Sequence, residues 1–251
     1  MQELLKLEFY TYVMVFLRFG TAIMVMPGFT SSYVNPRIRL YIALGISFIL
    51  YPVLQEYYPP EPQIFLEKLE LGFHEITIGL IMGLLMQFYY FALNLAGNFA
   101  GQAIGFSNAT LFDPTSQNQS IVLESFLSIT AITVIFVLDI HHQMIEAVMG
   151  SYRIFPPAEG IMYGDTAKLF SQTIGKSFKV GFQLSSPFIA FTIIFYTGMG
   201  LISRLMPQLN IFFLSLPLQI YLGLGLLFIT TPVMIMWFAG YFEGGIKPFV
   251  P

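Results

Sequence analysis

ITIGLIMGLLMQFYYFALNLAGNFAGQAIGFSNATLF, residues 76–112, carries no Asp, Glu, Lys or Arg and ends against Asp113-Pro114. A membrane-spanning helix needs about 20 apolar residues, so this stretch is too long for one simple span. Its first part, residues 76–95, reads as a helix facing hydrocarbon or deeply buried. Its second part, residues 94–110, mixes Gly97, Gly101 and Gly105 with Asn94, Asn98, Gln102, Ser107 and Asn108. That mixture suits a helix packed inside protein or beside a water-filled path, so something polar is built at or near membrane depth.

The rest of the chain agrees with a membrane environment. Of 251 residues, 56% are hydrophobic and only 10% charged, with a mean hydropathy of +0.72; an ordinary soluble domain has about 25% charged residues. A net charge of −3 with 11 basic residues leaves no basic footprint for nucleic acid. The absence of cysteine excludes disulfides and thiolate metal sites. The amino terminus has Glu3 and Glu8 beside Lys6 and no small-residue cleavage pattern, so the first apolar segment is expected to belong to the mature fold.

Six main apolar segments are predicted, at residues 9–26, 40–54, 76–95, 121–138, 180–202 and 211–237. They are too long and too uniformly apolar for the alternating ten-residue strands of a transmembrane barrel, which leaves an all-α membrane protein of about six long helices arranged as hairpins. Pro27-Gly28, Asn35-Pro36, the prolines within residues 58–62, Pro156-Pro157 and Pro207 punctuate it, whereas Pro187, Pro217 and Pro232 fall inside apolar runs and are expected to kink them. Arg37, Arg39 and Arg204 would lie on the cytoplasmic side if six spans placed both termini outside it. Asp165, Lys168, Lys176 and Lys179 are expected on a solvated amphipathic element before the fifth span.

Several residues invite functional readings. Gly79 with Gly83, and Gly97, Gly101 and Gly105, repeat at intervals of four and so line one helix face, where backbones can approach closely; internal packing, packing on another subunit and a hinge all fit. Arg18 is the only charge between residues 9 and 26 and needs a polar partner, with a contact to another subunit one way to supply it. Asp139, His141, His142 and Glu146 form the densest potentially chemical cluster, but they lack the HExxH pattern of a metalloprotease and suit a segment end at the membrane surface. His74-Glu75 is expected just before a helix, with Glu75 near the positive end of its dipole. No catalytic constellation, metal site or cofactor site is expected. The stretch around Phe106, Ser107, Asn108, Leu111, Phe112, Asp113 and Pro114 cannot face hydrocarbon if irregular. It reads either as a capped turn or as a loop that lines or closes a conduit.

Taken in order, Pro27-Gly28-Phe29, Asn35-Pro36-Arg37-Ile38-Arg39, Glu75-Ile76 with Gly79 and Gly83, Ala96-Gly97 through Gly105 to Asp113-Pro114, Gly200-Leu201 with Arg204, and Pro207-Gln208-Leu209-Asn210-Ile211-Phe212 resemble the flagellar biosynthetic protein FliR family. The resemblance covers nearly the whole chain. It implies a subunit of the flagellar type III export gate in the bacterial inner membrane, within the flagellar basal body. Such a subunit assembles with FliP, FliQ and FlhB, contacts membrane lipid and passes unfolded exported proteins.

It further implies a FliP-like part over residues 1–203 and a FliQ-like hairpin region over 204–251, with an approximate boundary. A conduit plug would fall within residues 105–119, where Phe106, Leu111 and Phe112 make apolar contacts and Asp113-Pro114 shapes the return. Asn98 stands where the family commonly has an acid, so a proton relay would need another titratable group. A virulence-associated export subunit shares these motifs, while a small-solute transporter would require internal repeats that are absent from the sequence.

Overall fold

The computed structural model describes residues 2–30, 34–105, 121–157, 159–160, 163–208 and 211–250. Seven α-helices and no strand occur among them: α1 (Gln2–Val25), α2 (Pro36–Leu54), α3 (Phe65–Ile104), α4 (Ile121–Val137), α5 (Ile140–Ile154), α6 (Tyr163–Leu205) and α7 (Ile211–Ile246). The helix boundaries follow local chemistry. Asn35 caps α2 by accepting the Arg37 N–H at 2.9 Å, and Pro36 sits in its first turn, where a missing N–H costs nothing. Gly28 turns the chain after α1 at φ 87°, and the prolines at 59, 60 and 62 delay α3 until Phe65.

Four helical stretches, Pro36–Tyr57, Phe65–Ile104, Gly164–Leu205 and Ser215–Phe249, are long and apolar enough to cross a membrane. The expected fourth segment, residues 121–138, is α4, and the chain bends by 75° beyond it into α5, across Asp139 in the left-handed conformation (φ 57°). The expected third and fifth segments extend well beyond their apolar stretches. α3 starts before the charges at 67, 68, 70 and 75, and α6 absorbs the polar stretch with Lys168, Lys176 and Lys179, which stay exposed. Glu, Lys and Leu are good helix formers, so hydropathy ends where the helix does not. Pro187 lies inside α6, and the Gln183 carbonyl that its missing N–H leaves free accepts the Ser186 hydroxyl at 2.7 Å.

The helices divide between two compact units. The first contains residues 1–89, 135–173 and 242–251; the second contains residues 90–134 and 174–241. In the first unit α1 packs on α2 through Tyr12, edge-on to Phe48 and Tyr51, and on α3 through Gly79 and Gly83. A Cβ at Gly79 would run into Thr21 and the Arg18 carbonyl, and one at Gly83 would lie 2.9 Å from the Ala22 carbonyl oxygen. These two backbones therefore touch without intervening side chains. In the second unit the later half of α3 meets α6 where Gly181 faces the Ala92 carbonyl.

Over residues 76–95 α3 is uncharged and mostly apolar, and it is correspondingly enclosed. Of its most apolar window, 61% is buried by the chain's own helices, against 17% for α2 and α6 and 28% for α7. Residues 76–95 are thus walled mainly by protein rather than hydrocarbon.

Candidate functional site

Beyond residue 95, α3 changes character without ending. Asn94, Asn98 and Gln102 recur one turn apart, and the first two face α4 within the second unit. The Ser128 hydroxyl donates to Asn94 Oδ1 at 2.7 Å, Asn98 Nδ2 donates to Glu124 Oε2 at 3.4 Å, and Gln102 Nε2 donates to Asn98 Oδ1 at 2.7 Å. The approach is close because of Gly97, whose Cβ, if present, would lie 3.1 Å from Glu124 Cα and 3.2 Å from Leu127 Cδ1. Gly101 is buried one turn further on. A polar ladder with one carboxylate is chemically suited to hold water or orient a polar chain, because its members are hydrogen-bonded yet Gln102 is exposed.

Glu124 is a residue that sequence reasoning missed. It is the sole charge between residues 121 and 138, the same signal that drew attention to Arg18. Its carboxylate faces Asn98 from the neighbouring helix.

The helix ends at Gly105, whose φ of 89° places it in the region glycine favours. Its N–H donates to the Gln102 carbonyl at 3.1 Å. Phe106, Ser107, Asn108, Leu111, Phe112, Asp113 and Pro114 lie outside the described residues. What is described is the frame on either side of them, the last turn of α3 and the first turns of α4.

A second constellation lies in the first unit, around Arg18. Arg18 and Glu75 are both fully buried and pair as a fork: Nε to Oε2 at 2.6 Å and Nη2 to Oε1 at 3.0 Å. Two further guanidinium N–H groups donate to Ser151 Oγ at 3.2 Å and the Phe155 carbonyl at 3.1 Å. Arg18 Cζ also lies 3.8 Å over the Tyr152 ring. The Tyr58 hydroxyl donates to Glu75 Oε2 at 3.0 Å and lies 3.0 Å from the Tyr152 hydroxyl. Burial, with Tyr152 and the Glu75 carboxylate beside it, holds the Tyr58 phenol well above its ordinary value, so it remains protonated as a donor.

Arg18 is therefore satisfied within the chain rather than by another subunit. Glu75 lies well inside α3, not at its start, so its role is to neutralise Arg18 rather than to meet the helix dipole. Such a closed network fixes geometry and leaves no group poised for reaction.

At the α4–α5 break, His142 Nδ1 lies 3.5 Å from Asp139 Oδ1, both largely exposed. The His141 ring packs 4.8 Å from Phe136 and 4.1 Å from His142. Ligand atoms of Asp139, His141 and His142 fall within 4.8 Å of one another, close enough to share a cation, but exposed Asp139 and His142 match a polar turn equally well. Glu146 is exposed on α5, and His142 pairs back to Asp139 instead of forward to it.

Comparison with known proteins places this architecture. Residues 9–245 match the family described as bacterial export proteins, family 1. The chain is 34% identical over 237 residues to the flagellar biosynthetic protein FliR of Caulobacter vibrioides, covering 94% of each chain. It is 27% identical to FliR of Bacillus subtilis, over 91% of this chain and 88% of that one. For FliR of Escherichia coli the identity is 26%, over 89% and 85%. With helices able to cross a membrane and a match running almost end to end, this chain belongs to bacterial export proteins, family 1, the family of flagellar biosynthetic protein FliR.

Proposed function

We propose that the chain is a core subunit of the bacterial flagellar type III protein export gate, forming with FliP and FliQ a conduit for unfolded flagellar substrates in the inner membrane, beside FlhB. The observation that carries this reading is the match of nearly the whole chain to relatives named flagellar biosynthetic protein FliR. Two physical features support it. The polar ladder of Asn94, Asn98, Gln102, Glu124 and Ser128 supplies hydrogen-bonding groups deep in an apolar chain, as a wet protein-lined path requires. The large apolar surface left exposed on α6 and α7, including Ile194, Tyr221, Phe228 and Met236, suits packing against further subunits and lipid.

On this reading residues 1–203 are the FliP-like part and the region from 204 the FliQ-like hairpin. The segment with Phe106, Ser107, Asn108, Leu111, Phe112, Asp113 and Pro114 closes the conduit by apolar contact, excluding water until substrate enters. The role is structural and conductive rather than catalytic. Lipid vesicles holding the complex co-purified with FliP and FliQ test it. Deleting residues 106–112 is expected to leave the complex assembled and raise its passive ion leak; a chain that purifies as a substrate-coupled monomer, or an assembled complex with unchanged leak, sinks the proposal.

A further inference from the structure

His141 separates a cation site from a mere polar turn at the α4–α5 bend. A turn accounts for Asp139 and His142, whose side chains are 73% and 64% exposed. It does not account for His141, whose ring packs against both Phe136 and His142 and is only partly open to solvent. Its Nδ1 is fully buried and has no hydrogen-bond partner among the described residues. A buried polar atom left in that state is costly, and a surface turn gives no reason to tuck the imidazole there. A cation held beside it does.

The spacing within the group is that of ligands rather than of hydrogen-bonded partners. His142 Nδ1 lies 3.5 Å from Asp139 Oδ1, longer than the about 2.7–3.2 Å of an N–H···O bond. Metal bonds of about 2.0–2.2 Å at tetrahedral angles put neighbouring ligand atoms about 3.4 Å apart, the separation this pair already has. Ligand atoms of all three residues lie within 4.8 Å of one another, so the longest separation has about 1.4 Å to close, a shift within reach of side-chain rotation. The Asp139 side chain is also uncommitted as a cap, because it makes no hydrogen bond to the first turn of α5.

We propose that Asp139, His141 and His142 form a binding site for a divalent transition cation of the Zn2+ class, with water completing its coordination. Two imidazoles and one carboxylate suit such an ion, whereas Mg2+ takes oxygen ligands. All three residues belong to the first compact unit, and they bracket the bend itself: Asp139 is its left-handed residue, and the histidines lie in the first turn of α5. A bound cation therefore holds the turn in place. The inference stands apart from the export-gate reading and needs no partner subunit.

The test uses the full chain without a polyhistidine tag, in detergent at neutral pH, titrated calorimetrically with Zn2+ and separately with Mg2+. One Zn2+ per chain is expected, with no Mg2+ uptake and with slower amide hydrogen exchange in residues 139–143 when Zn2+ is present. His141→Gln and His142→Gln are each expected to weaken Zn2+ binding by about 100-fold, since loss of an outer partner of a ligand already costs about 10- to 100-fold. His74→Asn, which changes the chain's third histidine, and Glu146→Gln leave it unchanged. Absence of Zn2+ uptake overturns the proposal. So does uptake that survives His141→Gln or His142→Gln at wild-type affinity, which would mark an adventitious ion only, and so does Mg2+ binding of equal strength. Should either histidine variant fail to fold, Asp139→Asn is read in its place, because asparagine tolerates the left-handed backbone and lacks the charge; wild-type Zn2+ affinity there also overturns the site.

Discussion

Arg18 and Glu75 show how a single side chain can organise an apolar core. Both are fully buried, and desolvating two charges is offset only when the geometry is good and the remaining donors are satisfied. Here the fork, Ser151, the Phe155 carbonyl and Tyr58 complete the set. Arg18→Met is therefore expected to destabilise the protein by about 3–5 kcal/mol, since it strands a buried carboxylate. Adding Glu75→Leu should recover most of that loss. Thermal unfolding of the three forms in one detergent checks both, and a double variant no more stable than Arg18→Met would contradict the pair account. That Arg18 needs a partner was evident from its isolation in an apolar run. Its partner, 57 residues away, was not, because finding Glu75 requires knowing that α1 and α3 touch and in which register.

That register is set by Gly79 and Gly83 on α3. Leucine at Gly79 must push the α1 backbone away, whereas Gly45 in α2 faces open space. Gly79→Leu is expected to cost about 3 kcal/mol or more through overpacking, while Gly45→Ala should stabilise by about 0.5–1 kcal/mol through helix propensity. Unfolding midpoints compared side by side decide whether glycine acts here by contact or merely by composition.

The junction of α4 and α5 poses a different local demand. Asp139 holds φ 57° without capping α5 with its side chain. Asp139→Gly should be neutral or stabilising and Asp139→Ile should lose about 1–2 kcal/mol relative to it; equal midpoints would show that the turn is not under that strain. In the sequence the end of this segment at residue 138 was legible from hydropathy, but the helix that follows at once was not, since the left-handed residue between them is an aspartate rather than a glycine. The extension of α3 and α6 was hidden for the opposite reason. Their charged first turns interrupt hydropathy but not helical propensity, and no proline stands between the two stretches to stop the helix.

Taken together, the helices leave much apolar surface uncovered. Phe228, Ile229 and Met236 on α7 are 84%, 72% and 75% exposed, far from the pattern of a chain that buries its own hydrophobic stripe. On the proposed reading a charge on that face meets hydrocarbon or a neighbouring subunit. Phe228→Lys is expected to reduce recovery of the chain with FliP and FliQ sharply, while the Arg18 network keeps its protection from hydrogen exchange; full recovery would mean that this face meets neither.

An all-α membrane protein was legible from apolar run length and the scarcity of charge, and the motif order across the chain pointed to the FliR family. Both depend on composition and short-range pattern, which a linear sequence states outright. The polar shift along residues 94–110 was legible too, but its meaning was not. Which side chain answers each isolated polar group, Glu75 for Arg18, Glu124 for Asn98 and Gln219 for the Ala103 carbonyl at the end of α3, depends on helices that are distant in sequence. Their juxtaposition is fixed by close contacts at glycines such as Gly79, Gly97 and Gly223. A hydrogen bond is satisfied over about 3 Å, a length scale that hydropathy and spacing do not resolve and that helix packing sets.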